Sequence, residues 1–280
     1  FMGDQVVRNF QFNYQVEKRK YQLSEVTETA SGGEHKNPTQ LMWTNLSDFK
    51  VQNYNYSQTK LIHKATLTVG DFNGDGLADF IATPENDRAG WKGWKLFISH
   101  STYFEQVASG TWNWNDDKLE QVVCGDFNGD GYADVVAKRC HSGKWHNCDL
   151  YTTSVDNNGK ISLAFSKCFI SLARDYTIQT VELNGDGAAD LFAWLSNSKE
   201  CKLIRSKEGA NGLTPLDYTA VRYCSEKWDR VEYGDFNGDG LTDVMNLNDN
   251  GNCIMYCDGV GTMTKEDKSS WPNKNHYLEL

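Results

Sequence analysis

Short apolar runs broken by polar and glycine-rich turns dominate the pattern along this chain. Val6–Val16 alternates apolar and polar residues in stretches, and Tyr21–Thr27 does the same. A break at Ala30–Pro38 separates them from Gln40–Thr44, so residues 1–64 predict a hairpin, a loop and a third strand. From residue 65 onward strand-like runs such as Ala65–Val69 and Asp79–Ala82 recur at regular intervals. No stretch carries a helical 3.6-residue stripe of useful length, and no run of 18 apolar residues offers a membrane-spanning helix. The chain therefore reads as all-β, with an N-terminal strand segment over 1–64 and a repeat region over 65–280.

The interval is fixed by one motif. Gly70-Asp71-Phe72-Asn73-Gly74-Asp75-Gly76-Leu77-Ala78-Asp79 recurs nearly unchanged at 125–134 and 234–243, and a fourth version opens on Glu182. The first acidic residues, Asp71, Asp126, Glu182 and Asp235, are 55, 56 and 53 residues apart. A constant period of this size marks a repeat architecture. Each period predicts a strand into the acidic loop, a strand out of it, a turn, a third strand, a turn and a fourth strand. In the second period these are Gln121–Cys124, Asp134–Arg139, Asp149–Thr153 and Ile161–Ser166, with His141–Asn147 and Val155–Lys160 as turns. Four strands per repeat is the plan of a β-propeller blade. About four blades are visible. His276–Leu280 resembles the strand before the third loop, so the sequence is expected to stop where a fifth loop would begin.

Each loop reads D-x-N-x-D-G-x-x-D. Oxygen side chains at positions 1, 3, 5 and 9, glycine at 6 and a backbone carbonyl at 7 suit a hard cation such as Ca²⁺. The candidate ligands are Asp71, Asn73, Asp75, Leu77 and Asp79 in the first loop, and Asp126, Asn128, Asp130, Tyr132 and Asp134 in the second. Glu182, Asn184, Asp186, Ala188 and Asp190 follow in the third, and Asp235, Asn237, Asp239, Leu241 and Asp243 in the fourth. Position 12, where an EF-hand requires Glu, is Ala82, Ala137, Ala193 and Asn246, and strands flank the loops, so EF-hand and dockerin-type readings fail. Ordinary Asn-Gly and Asp-Gly turns without a metal are the competing reading. Four copies with acid or amide at every side-chain ligand position favour the cation, about one Ca²⁺ per loop.

Charge then changes little. The formal charge is −10, and four bound divalent ions would cancel most of it. No basic patch is evident, Lys18-Arg19-Lys20 being the longest basic run, so nucleic-acid binding is not expected. Phe1–Asp4 lacks the basic start and apolar block of a signal peptide, which suggests an excised fragment or a mature product. Eight cysteines without a C-x-x-C pair argue against structural zinc. With calcium loops they point to an oxidising, extracellular or cell-surface setting. The blade plan puts Cys201 beside Cys224 and Cys148 beside Cys168, the disulfides expected first; Cys140–Cys148 competes, and free buried thiols are the other reading. Asn45-Leu46-Ser47 and Asn55-Tyr56-Ser57 match the glycosylation acceptor pattern.

The G-D-F-N-G-D-G-x-x-D strings resemble the FG-GAP/VCBS repeat, the calcium-binding repeat of integrin α-subunit propellers and of many secreted bacterial proteins. The resemblance covers roughly 65–280 and implies a propeller and a metal more than any one function. Glu182 departs from it, as does the missing Gly-Asp-Phe before Asn184, which predicts a weaker third site. Tyr21–Glu28 and Pro38–Thr44, followed by the first loop, look like the entry to the propeller of Rhs-type and insecticidal-toxin-complex B proteins. In that family the propeller does no chemistry, sits beside a hollow β-shell around a toxic cargo, and contacts a translocating partner. The Rhs shell repeats themselves are not in this sequence.

No catalytic motif stands out: H-E-x-x-H, G-x-S-x-G and a Walker loop are all missing from the sequence. His141 and His146 flank Trp145 in a turn with Lys144, which reads first as an exposed polar turn and, as the alternative, as a ligand or partner contact. Trp91/Trp94 and Trp112/Trp114 are either a carbohydrate-stacking surface or packing between blades. The expectation is a non-catalytic interaction module of a larger protein, bound to a protein partner or to other domains of its own polypeptide. A lectin, or the accessory domain of a secreted hydrolase or lyase, are the alternatives.

Overall fold

The computed structural model describes residues 8–17, 20–30, 38–41, 64–85, 91–114, 117–143, 145–172, 174–210, 212–223, 227–247, 253–259 and 263–267. All regular structure in them is β-strand. The chain divides into two compact units, Phe1–Asn55 and Tyr56–Leu280. Both glycosylation tripeptides, Cys224, Lys144 and the C-terminal His276–Leu280 lie outside the described residues.

The first unit holds the expected hairpin and third strand. β1 (Arg8–Glu17) pairs antiparallel with β2 (Lys20–Ala30), and β2 with the short β3 (Thr39–Gln40). Phe10, Phe12 and Tyr14 on β1 are half exposed. Alternation places them on one face of the strand.

Among its described residues the second unit has four antiparallel sheets of four strands each, and it is a β-propeller array. The first blade is β4 (Ala65–Gly70), β5 (Asp79–Pro84), β6 (Trp94–Ser99) and β7 (Phe104–Gly110). The second is β8 (Lys118–Gly125), β9 (Asp134–His141), β10 (Trp145–Val155) and β11 (Ile161–Leu172). The third is β12 (Thr177–Val181), β13 (Asp190–Trp194), β14 (Glu200–Gly209) and β15 (Gly212–Tyr223). The fourth is β16 (Arg230–Gly234), β17 (Asp243–Leu247), β18 (Cys253–Cys257) and β19 (Met263–Asp267). Within each blade the strands follow sequence order, as short antiparallel connections favour.

The hydrophobic core is divided among the blade boundaries. Phe72, Ile81, Trp94 and Leu96 of the first blade pack with Ala133, Val135 and Tyr151 of the second. Phe127, Val136 and Leu150 meet Ile178, Leu191 and Ile204 of the third. Leu183, Phe192 and Leu203 meet Val244, Cys253 and Met255 of the fourth. The second and third blades each have a neighbour on both sides, which is why their second strands, β9 and β13, are buried almost without alternation. A strand covered on both faces needs apolar residues on both.

Strand ends differ from the sequence reading in one place that matters. β9 runs on to His141 and β10 begins at Trp145, so strand takes up His141 and residues 145–147 of the predicted His141–Asn147 turn. His146 is buried on β10 and faces Cys140 across the ladder, instead of sitting in an exposed turn. Tertiary packing against the third blade overrides the polar character of this segment.

The expected disulfide partners Cys148 and Cys168 lie on neighbouring strands, but the β10–β11 ladder slips at a bulge between Cys148 and Asp149. Cys168 is thereby opposite Asp149, and Cys148 opposite Ile170. Both sulfurs are free thiols in this structure, as is Cys140 of the competing Cys140–Cys148 pair. Cys201 is buried on β14 opposite Arg222.

Candidate metal centre in the acidic loops

Each acidic loop connects the first strand of a blade to its second. Gly74 and Gly76 take φ of +71° and +81°, values that an L side chain adopts only with strain. The two left-handed residues coil the loop so tightly that backbone N–H groups turn inward. Asp71 Oδ1 accepts from Gly74 N–H at 2.8 Å and Asp75 N–H at 3.2 Å, and Oδ2 from Gly76 N–H at 2.8 Å. Asp75 accepts from the Asn73 side-chain amide at 2.8 Å and from Leu77 N–H at 2.7 Å. The second and fourth loops repeat this scheme around Asp126 and Asp235. The structure therefore brings positions 1, 3 and 5 together under one turn.

Position 9 goes elsewhere. Asp79, Asp134, Asp190 and Asp243 are at most 1% exposed. Asp79 accepts from Phe72 N–H and from Ser99 N–H at the end of β6, both at 2.8 Å. Asp190 does the same with Leu183 and Ser206, and Asp243 with Phe236 and Cys257. This carboxylate pins the loop to the third strand of its own blade. In the second blade Asp134 Oδ1 accepts from Thr153 N–H at 2.8 Å, while its buried Oδ2 makes no hydrogen bond of normal geometry.

Electrostatics follow from that burial. Desolvation pushes the Asp134 carboxyl up to about 7 against the pull of the Thr153 N–H, and Asp130 and Asp126 push it further. Asp190 rises to about 7 for the same reason, with Glu182 and Asp186 adding their repulsion. Asp79 is also raised, chiefly by burial, with Asp75 and Asp71 contributing. Burial is the main cause at these position-9 carboxyls, whereas at exposed Asp235 of the fourth loop the Gly240 N–H leads the donors that hold the carboxyl below its usual range. An all-oxygen donor set that includes carboxylates is what a hard divalent cation requires.

The third loop is built differently. Glu182 Oε1 accepts from Asn184 and Gly185 N–H at 3.1 and 2.7 Å. Asp186 Oδ2 takes the Ser206 hydroxyl at 2.9 Å, so part of its acceptor capacity is already used.

Two relationships between loops were not visible in the motif. The side chains at position 7 reach the preceding loop: a Cβ on Gly74 would lie 3.2 Å from the Tyr132 ring, and one on Gly185 3.5 Å from Leu241. The N–H at position 8 donates to the carbonyl at position 1 of the preceding loop, from Ala133 to Asp71 at 2.7 Å, Ala189 to Asp126 at 2.6 Å and Thr242 to Glu182 at 2.7 Å. The constant spacing of the motif was the only sequence signal for either.

Three of the four tryptophans take part in packing, while half-buried Trp91 has the Lys95 ammonium over its ring. Trp94 is buried in the core between the first two blades. Trp112 and Trp114 stack with centroids 5.3 Å apart against the same core, edge-on to Tyr151, with the Arg139 guanidinium 5.2 Å from the Trp114 centroid.

Residues 71–137 match the family model of the FG-GAP-like repeat. No curated protein matches the chain. Among solved structures, a lectin of Agrocybe aegerita, described as specifically recognising non-reducing terminal N-acetylglucosamine, aligns at 14% identity and a TM-score of 0.38. The alignment covers 87% of this chain and 74% of that one.

Proposed function

We propose that each acidic loop holds one Ca²⁺ ion and that the repeat unit works as a non-catalytic, metal-stabilised interaction module of a secreted or surface protein. The observation that carries this reading is the gathering of the oxygen side chains of positions 1, 3 and 5 within one tight turn, held in place by a buried position-9 carboxylate that ties the loop to the third strand. Asp71, Asn73, Asp75 and their equivalents would supply the oxygens, with the position-7 carbonyl. The ion would offset the carboxylate charge and fix the loop whose buried Asp ties two strands together.

The partner class proposed is a protein surface or another domain of the same polypeptide. Trp94, Trp112 and Trp114, three of the four tryptophans that could have stacked on a sugar, are engaged at the boundary between the first two blades. The likeness of the N-terminal segment to Rhs-type and toxin-complex proteins fits such a partner. Calcium titration by calorimetry, with thermal melting in calcium and in EDTA, tests the metal. The expected result is saturable binding and a lower melting temperature on chelation; identical melting curves would overturn it. Rhs-type Tyr-Asp repeats in the flanking sequence would support the toxin setting, and a hydrolase or lyase domain there would replace it.

A further inference from the structure

We propose a second metal site of different chemistry at the opposite end of the second blade, formed by Glu120, Cys140 and His146 and suited to Zn²⁺. One ligand atom from each residue lies within 4.8 Å of the other two. The fold places them there for identifiable reasons. Cys140 at the end of β9 is directly opposite His146 at the start of β10, so both side chains project from one face of the sheet. Glu120 is the extra residue of a β-bulge in β8, between Leu119 and Gln121 in the β8–β9 ladder. A bulge re-aims a side chain, and here the carboxylate reaches the His146 ring, with Glu120 Oε2 2.7 Å from Nδ1. The acidic loop leaves the other end of β8, so this cluster is separate from the loop site.

The donor set selects the metal class. A thiolate, an imidazole and a carboxylate suit Zn²⁺, whereas the loops are all oxygen and suit Ca²⁺. Zinc ligands sit about 2.0–2.3 Å from the ion, so tetrahedral neighbours stand about 3.5 Å apart. The cluster reaches that by opening the Glu120–His146 hydrogen bond and drawing Cys140 in by about 1 Å. Three protein ligands leave one coordination position for water. Partly exposed Cys140 and Glu120 give the ion a way in, while buried His146 anchors the site.

Charge supports the same assignment. Lys138 Nζ, 4% exposed, is bonded to Asp175 and to the Tyr176 carbonyl and lies 3.5 Å from Glu120. The His146 ring lies 3.9 Å from Asp175 as well as against Glu120; with ring and thiol both neutral, the two carboxylates outnumber this one ammonium. Ionising Cys140 adds another negative charge, and a dication balances the group. Lys138 and Asp175 are then positioning residues that hold the Glu120 carboxylate at the site.

Co²⁺ replaces Zn²⁺ with an optical signature, so the test is cobalt titration of the full chain held in excess Ca²⁺. The expected result is a near-ultraviolet thiolate-to-cobalt charge-transfer band that Zn²⁺ abolishes. The band should be lost in Cys140→Ser, weakened at least tenfold in apparent affinity in His146→Gln, and unchanged in Cys168→Ser. Cobalt held by the acidic loops produces no such band, because they contain no sulfur. On the wild-type protein, Zn²⁺ should also slow alkylation of Cys140, located by peptide mapping, at least tenfold. No band in the wild type, a band that survives Cys140→Ser, or Cys140 alkylated equally fast with and without Zn²⁺ would each overturn the proposal.

Discussion

The backbone N–H of Ala133 donates to the carbonyl of Asp71 across the boundary between the first two blades, 2.7 Å away. Gly70, immediately before Asp71, makes this approach feasible: a Cβ there would lie 2.8 Å from the Ala133 Cβ. The same arrangement recurs at Gly125, where a Cβ would lie 2.8 Å from the Ala189 Cβ and 2.7 Å from Thr180 Cγ2. Glycine before the acidic loop thus permits blade contact as well as loop geometry. In the third blade Val181 holds that place, and the next blade answers with Thr242, whose hydroxyl accepts from Glu182 N–H at 3.0 Å.

Gly70→Ala should therefore destabilise the protein by about 1–3 kcal/mol, the usual cost of overpacking a rigid contact. Urea unfolding followed by tryptophan fluorescence measures it. Gly76→Ala is the comparison, because nothing lies within 4 Å of a Cβ there and its cost comes from the left-handed backbone alone. An undiminished midpoint in Gly70→Ala would refute the packing role.

The third loop should be the weakest of the four proposed calcium sites. Its first residue is Glu182, one methylene longer than Asp, and its Asp186 already accepts from Ser206. Calorimetry should resolve one class of weaker site, and Glu182→Asp should strengthen it several-fold while leaving the others unchanged. Four equivalent sites in the wild type would contradict this.

Identical motif positions should differ sharply in energetic cost. Phe127 is fully buried between the second and third blades, whereas Phe236, its equivalent in the fourth loop, is 40% exposed. Phe127→Ala should cost about 3–5 kcal/mol. Phe236→Ala should cost about 1 kcal/mol or less. Denaturant midpoints of the two variants decide it.

Asp117 supplies a pH-dependent contribution away from the loops. Burial pushes its carboxyl up, but hydrogen bonds from His141 and Arg139 outweigh that and hold it below the usual carboxylate range. Its folded pKa is depressed, so its stabilisation is complete above the unfolded value and is lost as pH falls through the folded one. Asp117→Asn should lower stability by about 1–3 kcal/mol at neutral pH. The difference from wild type should close as pH drops below about 4. A pH-independent deficit would assign the effect to packing instead.

The acidic loops were legible in the sequence because their chemistry is local. Ten consecutive residues contain the donors, the two glycines and the carboxylates, so positions 1, 3 and 5 come together without help from the rest of the chain. Position 9 was identified as a member of the set, but not as a strut to the third strand. Its partners Ser99, Thr153, Ser206 and Cys257 are 14 to 20 residues away.

By itself the sequence determined the all-β class, the four-strand blade and its period, since alternation and turn residues act over a few positions. Only the tertiary structure decided which surfaces those blades cover. His146 looked like part of an exposed turn and became a buried strand residue facing Cys140, because the third blade packs against its sheet. One bulge at Glu120 and another beside Cys148 changed which side chains meet, placing a carboxylate beside the histidine and setting Cys168 opposite Asp149. Burial and register depend on contacts between segments distant in sequence, and a one-residue slip there changes every neighbour that follows.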